Sequence, residues 1–264
     1  MSPKSKKVLR WSAALALIAC VTTAILITSA SKESSSATGE IPTQSLAKNG
    51  RNLFLQPEAL RVARQLGKRF GPASRSTTLL SGNFTLAGNA QPLAITRRQT
   101  ETGETVELLL SNRSLTWSAE AGVKATGSAA TETERLLLER LIFDSPDYFV
   151  LAQLRGASYS TVARNVRPPD APDNYSGALW TIVRVDEPQT DEALRPESTW
   201  RLFYINSNTG LIDRIVSRPV DQTVEAQIWS WMEESGEKVP SQITWSIDGR
   251  AVMSYQATTV SHSE

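Results

Sequence analysis

From residue 76 onward the chain alternates short apolar runs with polar turns, mostly with a period of two. Runs rich in β-branched, aromatic and aliphatic residues at about 76–87, 91–99, 104–111 and 113–118 predict antiparallel strands. Their connections, Ala87-Gly88-Asn89, Glu101-Thr102-Gly103 and Ser111-Asn112, have turn chemistry. The same pattern predicts strands near 157–166, 177–186, 199–206, 211–218, 222–233, 239–247 and 251–260. It is plainest in the run that alternates Val239, Ser241, Ile243, Trp245 and Ile247 with Pro240, Gln242, Thr244, Ser246 and Asp248. Ile243 and Trp245 therefore point to an interior.

The period changes to helical in two places. PEALRVARQLGKRFG, from Pro57, spaces Leu60, Ala63, Leu66 or Gly67, and Phe70 along one face and stops at Gly71. In the segment 131–154, Thr131 or Thr133 can cap a helix that carries Leu137, Leu141 and Ile142 on one face, before Pro146 breaks it or starts a second helix. The stiff stretch RPPDAPDNY at 167–175 predicts an exposed flap or a connection between sheet halves. About eleven strands with helices before and among them predict an α+β fold: one large, strongly curved antiparallel sheet covered by helices on one face. A flat sheet of that many strands would be unusual.

The N-terminus is a different kind of sequence. Lys4, Lys6, Lys7 and Arg10 precede an uncharged stretch from Trp11 to Ser31. Residues 1–31 are expected to be an export signal or an N-terminal transmembrane anchor: the stretch is long enough to span a bilayer, and Thr28-Ser29-Ala30 offers a cleavage site. The basic flank keeps the N-terminus cytoplasmic and places the rest of the chain in the periplasm or otherwise outside the cytoplasm. Residues 32–50, rich in Ser, Thr and Gly, predict a flexible linker, and 51–264 the folded domain. Cys20, in Leu17-Ile18-Ala19-Cys20, resembles a lipidation site, but Val21 to Ile27 stays apolar where a polar tether would follow.

Charge and residue inventory exclude several chemistries. Of 28 Lys and Arg, four precede the apolar stretch, leaving 24 against 27 acids, which is no footprint for nucleic acid. Arg97-Arg98 is too small a basic cluster to alter that, and no glycine-rich phosphate loop occurs. Cys20 is the only cysteine and His262 the only histidine, so no internal disulfide, cysteine–histidine dyad, ordinary serine triad or common zinc site can form in the domain. His262, near the chain end, is expected to be disordered. Asp144 with Asp147, and Asp170 with Asp173, are the closest carboxylate pairs, and both read as helix-end and turn chemistry. No catalytic residue, metal site or cofactor is expected.

The segments TWRLFYINSNTGLIDRIVSR and VEAQIWSWMEESGEKVPSQITWSIDG, with Asn206, Thr209-Gly210-Leu211 and Gly236 to Pro240 at their turns, resemble the bacterial outer-membrane lipoprotein carrier and sorting superfamily. The resemblance implies an incomplete barrel with helices as a lid, and an apolar cleft that binds lipid or lipoprotein acyl chains without catalysis. A retained anchor would instead suit a membrane-tethered sensor or protein-interaction domain of the same fold, with an envelope protein as partner. Under the first reading the candidate cleft lining is Trp117, Trp180, Trp229, Trp231, Ile243 and Trp245. Core packing, with an amphipathic aromatic at the rim, is the simpler account of the same residues. In the turn, Gly210 suits a positive φ and Asn208 is expected to cap it.

Overall fold

The computed structural model describes residues 61, 62, 66, 77–86, 88–100, 103–111, 113–118, 121–154, 156–169, 171, 176–187, 198–219 and 221–263. The apolar segment at 11–31, Cys20 and the expected linker lie outside them.

Among the described residues the period-two runs form twelve strands: β1 (Thr77–Leu86), β2 (Asn89–Thr100), β3 (Gly103–Leu109), β4 (Ser114–Ser118), β5 (Gly122–Ala125), β6 (Ser158–Val166), β7 (Trp180–Asp186), β8 (Trp200–Asn206), β9 (Ile212–Ser217), β10 (Val224–Glu234), β11 (Glu237–Ile247) and β12 (Arg250–Ser263). The short β5, absent from the sequence prediction, brings the count to twelve. All pairs are antiparallel, in the order β5-β4-β3-β2-β1-β12-β11-β10-β9-β8-β7-β6. Two meanders, β1–β5 and β6–β12, are thus zipped together where β1 pairs with β12. The hairpins β10–β11 and β11–β12 turn through Ser235-Gly236 and Asp248-Gly249, all four at positive φ, the geometry that matches the strand twist.

Between β5 and β6, the outermost strands of the sheet among the described residues, run α1 (Glu132–Phe143) and α2 (Tyr148–Leu154). Thr131 caps α1 in a capping box: its hydroxyl accepts from the Glu134 amide at 3.3 Å, and Glu134 accepts from the Thr131 amide at 2.7 Å. The helices cross the inner face. Phe143 lies 6.0 Å from the Trp117 ring of β4 and 5.6 Å from the Arg201 guanidinium of β8. Those strands are eight places apart in the sheet, about 38 Å if it were flat, yet one phenyl ring touches both within about 12 Å. The sheet must therefore curl around the helices, as an incomplete barrel whose strand order does not close.

The predicted N-terminal helix is represented by Arg61, Val62 and Leu66, which are helical, with Val62 and Leu66 fully buried. Arg61 donates to the Ser207 and Asn208 carbonyls, both at 2.9 Å, and so ties this segment to the β8–β9 turn. In that turn the capping side chain is Asn206, not Asn208: its Oδ1 accepts from the Asn208 amide at 2.9 Å and the Thr209 amide at 3.1 Å. His262 also departs from expectation. Because β12 stays paired with β1 to Ser263, His262 is held in a strand with its Nδ1 3.0 Å from Thr78 Oγ1.

Candidate functional site

Cross-strand partners share a face, so the registers sort every strand residue into inner or outer. Inner positions are mostly apolar and buried, among them Phe84, Leu108, Trp117, Phe203, Ile243 and Trp245. The helices add Leu138, Leu141, Ile142, Phe143 and Phe149, and all of these belong to one continuous core cluster. Phe149 packs edge-on against Phe203 at 4.9 Å, and the Tyr159 hydroxyl donates to the Phe149 carbonyl.

Three of the six candidate lining residues, Trp117, Ile243 and Trp245, meet on this covered face. Trp231 is partly buried against the same cluster. Trp180 and Trp229 are elsewhere, which corrects their assignment to the cleft. Trp180 is paired with Asn206, on the outer face; its indole donates to Asp213 Oδ2 at 3.0 Å and its ring packs edge-on against Tyr204 at 5.3 Å. Trp229 is 57% exposed. Period two puts Trp229 and Trp231 on one face, and the irregular register around Ser230 parts them; β7 is apolar on both faces, so its alternation does not say which face is covered.

Within the apolar interior lies a group of buried charges at the α1–α2 corner. Arg201 is fully buried and donates from Nε to Asp144 Oδ1 at 2.9 Å and from Nη1 to Glu187. Arg140 holds the other Asp144 oxygen at 2.5 Å. Tyr148 donates to Glu187 Oε2 at 2.5 Å, and Phe143 and Tyr148 present their rings to the Arg201 guanidinium at 5.6 and 5.3 Å. Burial pushes the Asp144 carboxyl up, but Arg201 and Arg140 outweigh it and hold it below the ordinary carboxylate value. Burial likewise pushes Arg201 down, and Asp144 and Glu187 reverse the shift.

A second set joins the same corner to the first meander. Arg97, on β2, donates to the Leu141 carbonyl at 2.5 Å, meets Glu104 at 3.1 Å and lies 3.5 Å from Asp147. From β11, the Trp245 indole donates to the Asp144 carbonyl at 3.0 Å. Residues 141–148 are thereby fastened to β2, β8 and β11 together. Asp144 and Asp147, which read as turn chemistry in the sequence, are therefore buried ion-pair partners.

Arg97, Arg201 and Glu187 escape a local reading because the contacts that bring them to the corner are long-range: Arg97 reaches Leu141 across 44 positions, Arg201 reaches Asp144 across 57, and Glu187 meets Tyr148 across 39. A signal was nonetheless present. Arg201 shares its phase with Phe203 and Ile205, and Arg97 with Leu93 and Ile95, so each is a charge at a core position of an alternating strand. Chemically, both aspartates are engaged by guanidinium groups. Among the described residues, no group of three or more His, Cys, Asp or Glu is placed to hold a metal, and no helix is long and apolar enough to cross a membrane.

No protein-family model matches the sequence, and no curated protein matches it significantly. Among solved structures the chain resembles a domain described as an outer-membrane lipoprotein-sorting protein from Vibrio parahaemolyticus, at 3% identity and a TM-score of 0.48, over 72% of this chain and 86% of that one. It is similar to a DUF1329 family protein from Desulfovibrio piger, at 11% identity and a TM-score of 0.46, covering 77% and 89% of the two chains. A LolA superfamily protein from Nitrosomonas europaea matches at 7% identity and a TM-score of 0.45, over 76% and 92%. These are likenesses of fold, and residue roles follow only from this chain's own geometry.

Proposed function

We propose that this chain is a noncatalytic cell-envelope protein, exported from the cytoplasm, that binds a lipid or the acyl chains of a lipoprotein between the inner face of its open sheet and α1–α2. The observation that supports it is a continuous apolar inner face whose cover is tied down by polar groups gathered at one corner, residues 141–148. Loosening that corner exposes apolar surface on sheet and helices alike, including Trp117, Ile243 and Trp245. An acyl chain inserted there gains about 0.8 kcal/mol per buried methylene, so it can replace the packing that the helices give up. Specificity would then rest on chain length more than on polar contacts.

The test is native mass spectrometry of the full chain purified from membranes, with fatty acid added in a second arm. Retained lipid, or a change in tryptophan emission on titration, is expected. Repeated lipid-free spectra with unchanged emission would defeat the reading. Trp245 and Ile243 are packed tightly, at 0% and 3% exposure, and that favours a second reading: a membrane-tethered sensor or protein-interaction domain with a filled interior. It predicts one stoichiometric envelope protein bound to lipid-free domain.

A further inference from the structure

The outer face of β10, β11, β12 and β1 differs from the rest of the molecule. The registers place Gln227, Gln242, Thr244, Ser254, Gln256 and Asn83 side by side on it. None is charged; charged residues stand only at its margins, in the Arg214–Glu225 pair at 2.6 Å and at the β10–β11 hairpin end, where Glu233 pairs with Lys238. In this field of amides and hydroxyls stands one large exposed aromatic side chain, Trp229.

Two further features fix how Trp229 is presented. The β10–β11 ladder is irregular on both sides of Ser230, where the Ser230 and Ser241 hydroxyls meet at 2.9 Å, and such irregularities re-aim a side chain out of the pleat. The indole Nε1 donates to Thr244 Oγ1 at 3.1 Å. With its donor engaged, the ring has only its apolar surface to offer, and its orientation is set before any ligand arrives.

We propose that this face binds a neutral polysaccharide, with Trp229 as the stacking platform. A pyranose ring has an apolar C–H face that packs on an indole and an equatorial rim of hydroxyls that both donate and accept. Gln227, Gln242, Gln256 and Asn83 supply amides that also do both, at the edge of the platform. The alternatives fit less well. An anionic lipid surface or a nucleic acid needs unpaired cations, of which the described central rows hold none, and an acyl chain needs contiguous apolar width, whereas the other large exposed hydrophobic side chain of these strands, Leu79 of β1, stands three strands away from β10. This surface lies on the side of the sheet opposite the helices, so it is independent of the acyl-binding reading.

The experiment uses the full chain in a detergent without a sugar head group. It is titrated calorimetrically with cellohexaose and with chitohexaose, and with a polyanionic oligosaccharide as the charged arm. Saturable binding of at least one neutral hexaose is expected, and the two arms distinguish an unsubstituted from an N-acetylated chain. Trp229→Ala should weaken it about tenfold or more. Gln256→Leu should weaken it several-fold with the ring intact, and the unfolding midpoint of each variant reports that the fold survives. The proposal is overturned if neither hexaose saturates at millimolar concentration, if only the polyanion binds, or if Trp229→Ala binds as tightly as the parent.

Discussion

The guanidinium of Arg201 and the carboxylate of Asp144 meet at 2.9 Å with side chains 0% and 1% exposed, joining β8 to the end of α1 across 57 positions of sequence. Neither group could occupy that site alone, because an unpaired buried charge costs several kcal/mol. The pair, with Arg140 and Glu187, makes the position of the helix corner depend on charge as well as on apolar packing.

Asp144→Asn should lower the stability of the protein by about 3–5 kcal/mol, since it leaves Arg201 and Arg140 facing an uncharged amide in the interior. Urea unfolding monitored by circular dichroism measures it. A loss below about 1 kcal/mol would show that the corner is held by packing. Combining the substitution with Arg201→Met should cost less than the two single changes together, because both charges are then removed.

Acid should weaken the fold through the same carboxylate. Its folded pKa lies below its unfolded value, so its contribution is fully present above about 3.9 and declines as the pH falls from there through the lower folded value. Thermal midpoints between pH 7 and pH 3 should therefore drop at the acid end, and less steeply in Asp144→Asn than in the parent. Parallel curves would remove Asp144 from the explanation.

Gly210 tests the join between Arg61 and the β8–β9 turn. Its φ is +73°, and a Cβ there would stand 2.6 Å from Arg61 Nε. Gly210→Ala should cost about 1–2 kcal/mol from the left-handed backbone alone, and more from displacing Arg61. In an Arg61→Ala background the second part should vanish. A double-mutant cycle with no coupling would show that Arg61 moves aside freely.

Gly82 meets a harder obstacle. It sits at the β1–β12 irregularity, where a Cβ would come within 2.1 Å of the Gln256 carbonyl oxygen, and backbone cannot swing away as an arginine can. Gly82→Ala should destabilise by about 3 kcal/mol, at the upper end of what overpacking costs. Amide exchange should quicken first along Gln256 to Val260, and uniform protection across β12 would contradict the account.

By itself the sequence determined the local elements: the strands whose alternation is clean, a helix capped at Thr131 or Thr133, of which the structure selects Thr131, and the reversal between Asn206 and Gly210. Period, cap and turn chemistry act within a few residues, so a single stretch carries the whole signal. Sequence could also say that Ile243 and Trp245 point inward, because one face of their strand is apolar and the other polar. It could not say so for Trp180 or Trp229, whose strands carry apolar groups on both faces. Only the tertiary structure decided that β1 pairs with β12, that the helices cross between the outermost described strands, and that Asp144, Asp147, Arg97 and Arg201 converge beneath them. Those outcomes depend on contacts between residues far apart in the chain, and the sign of a buried charge's contribution depends on a partner that no local pattern names.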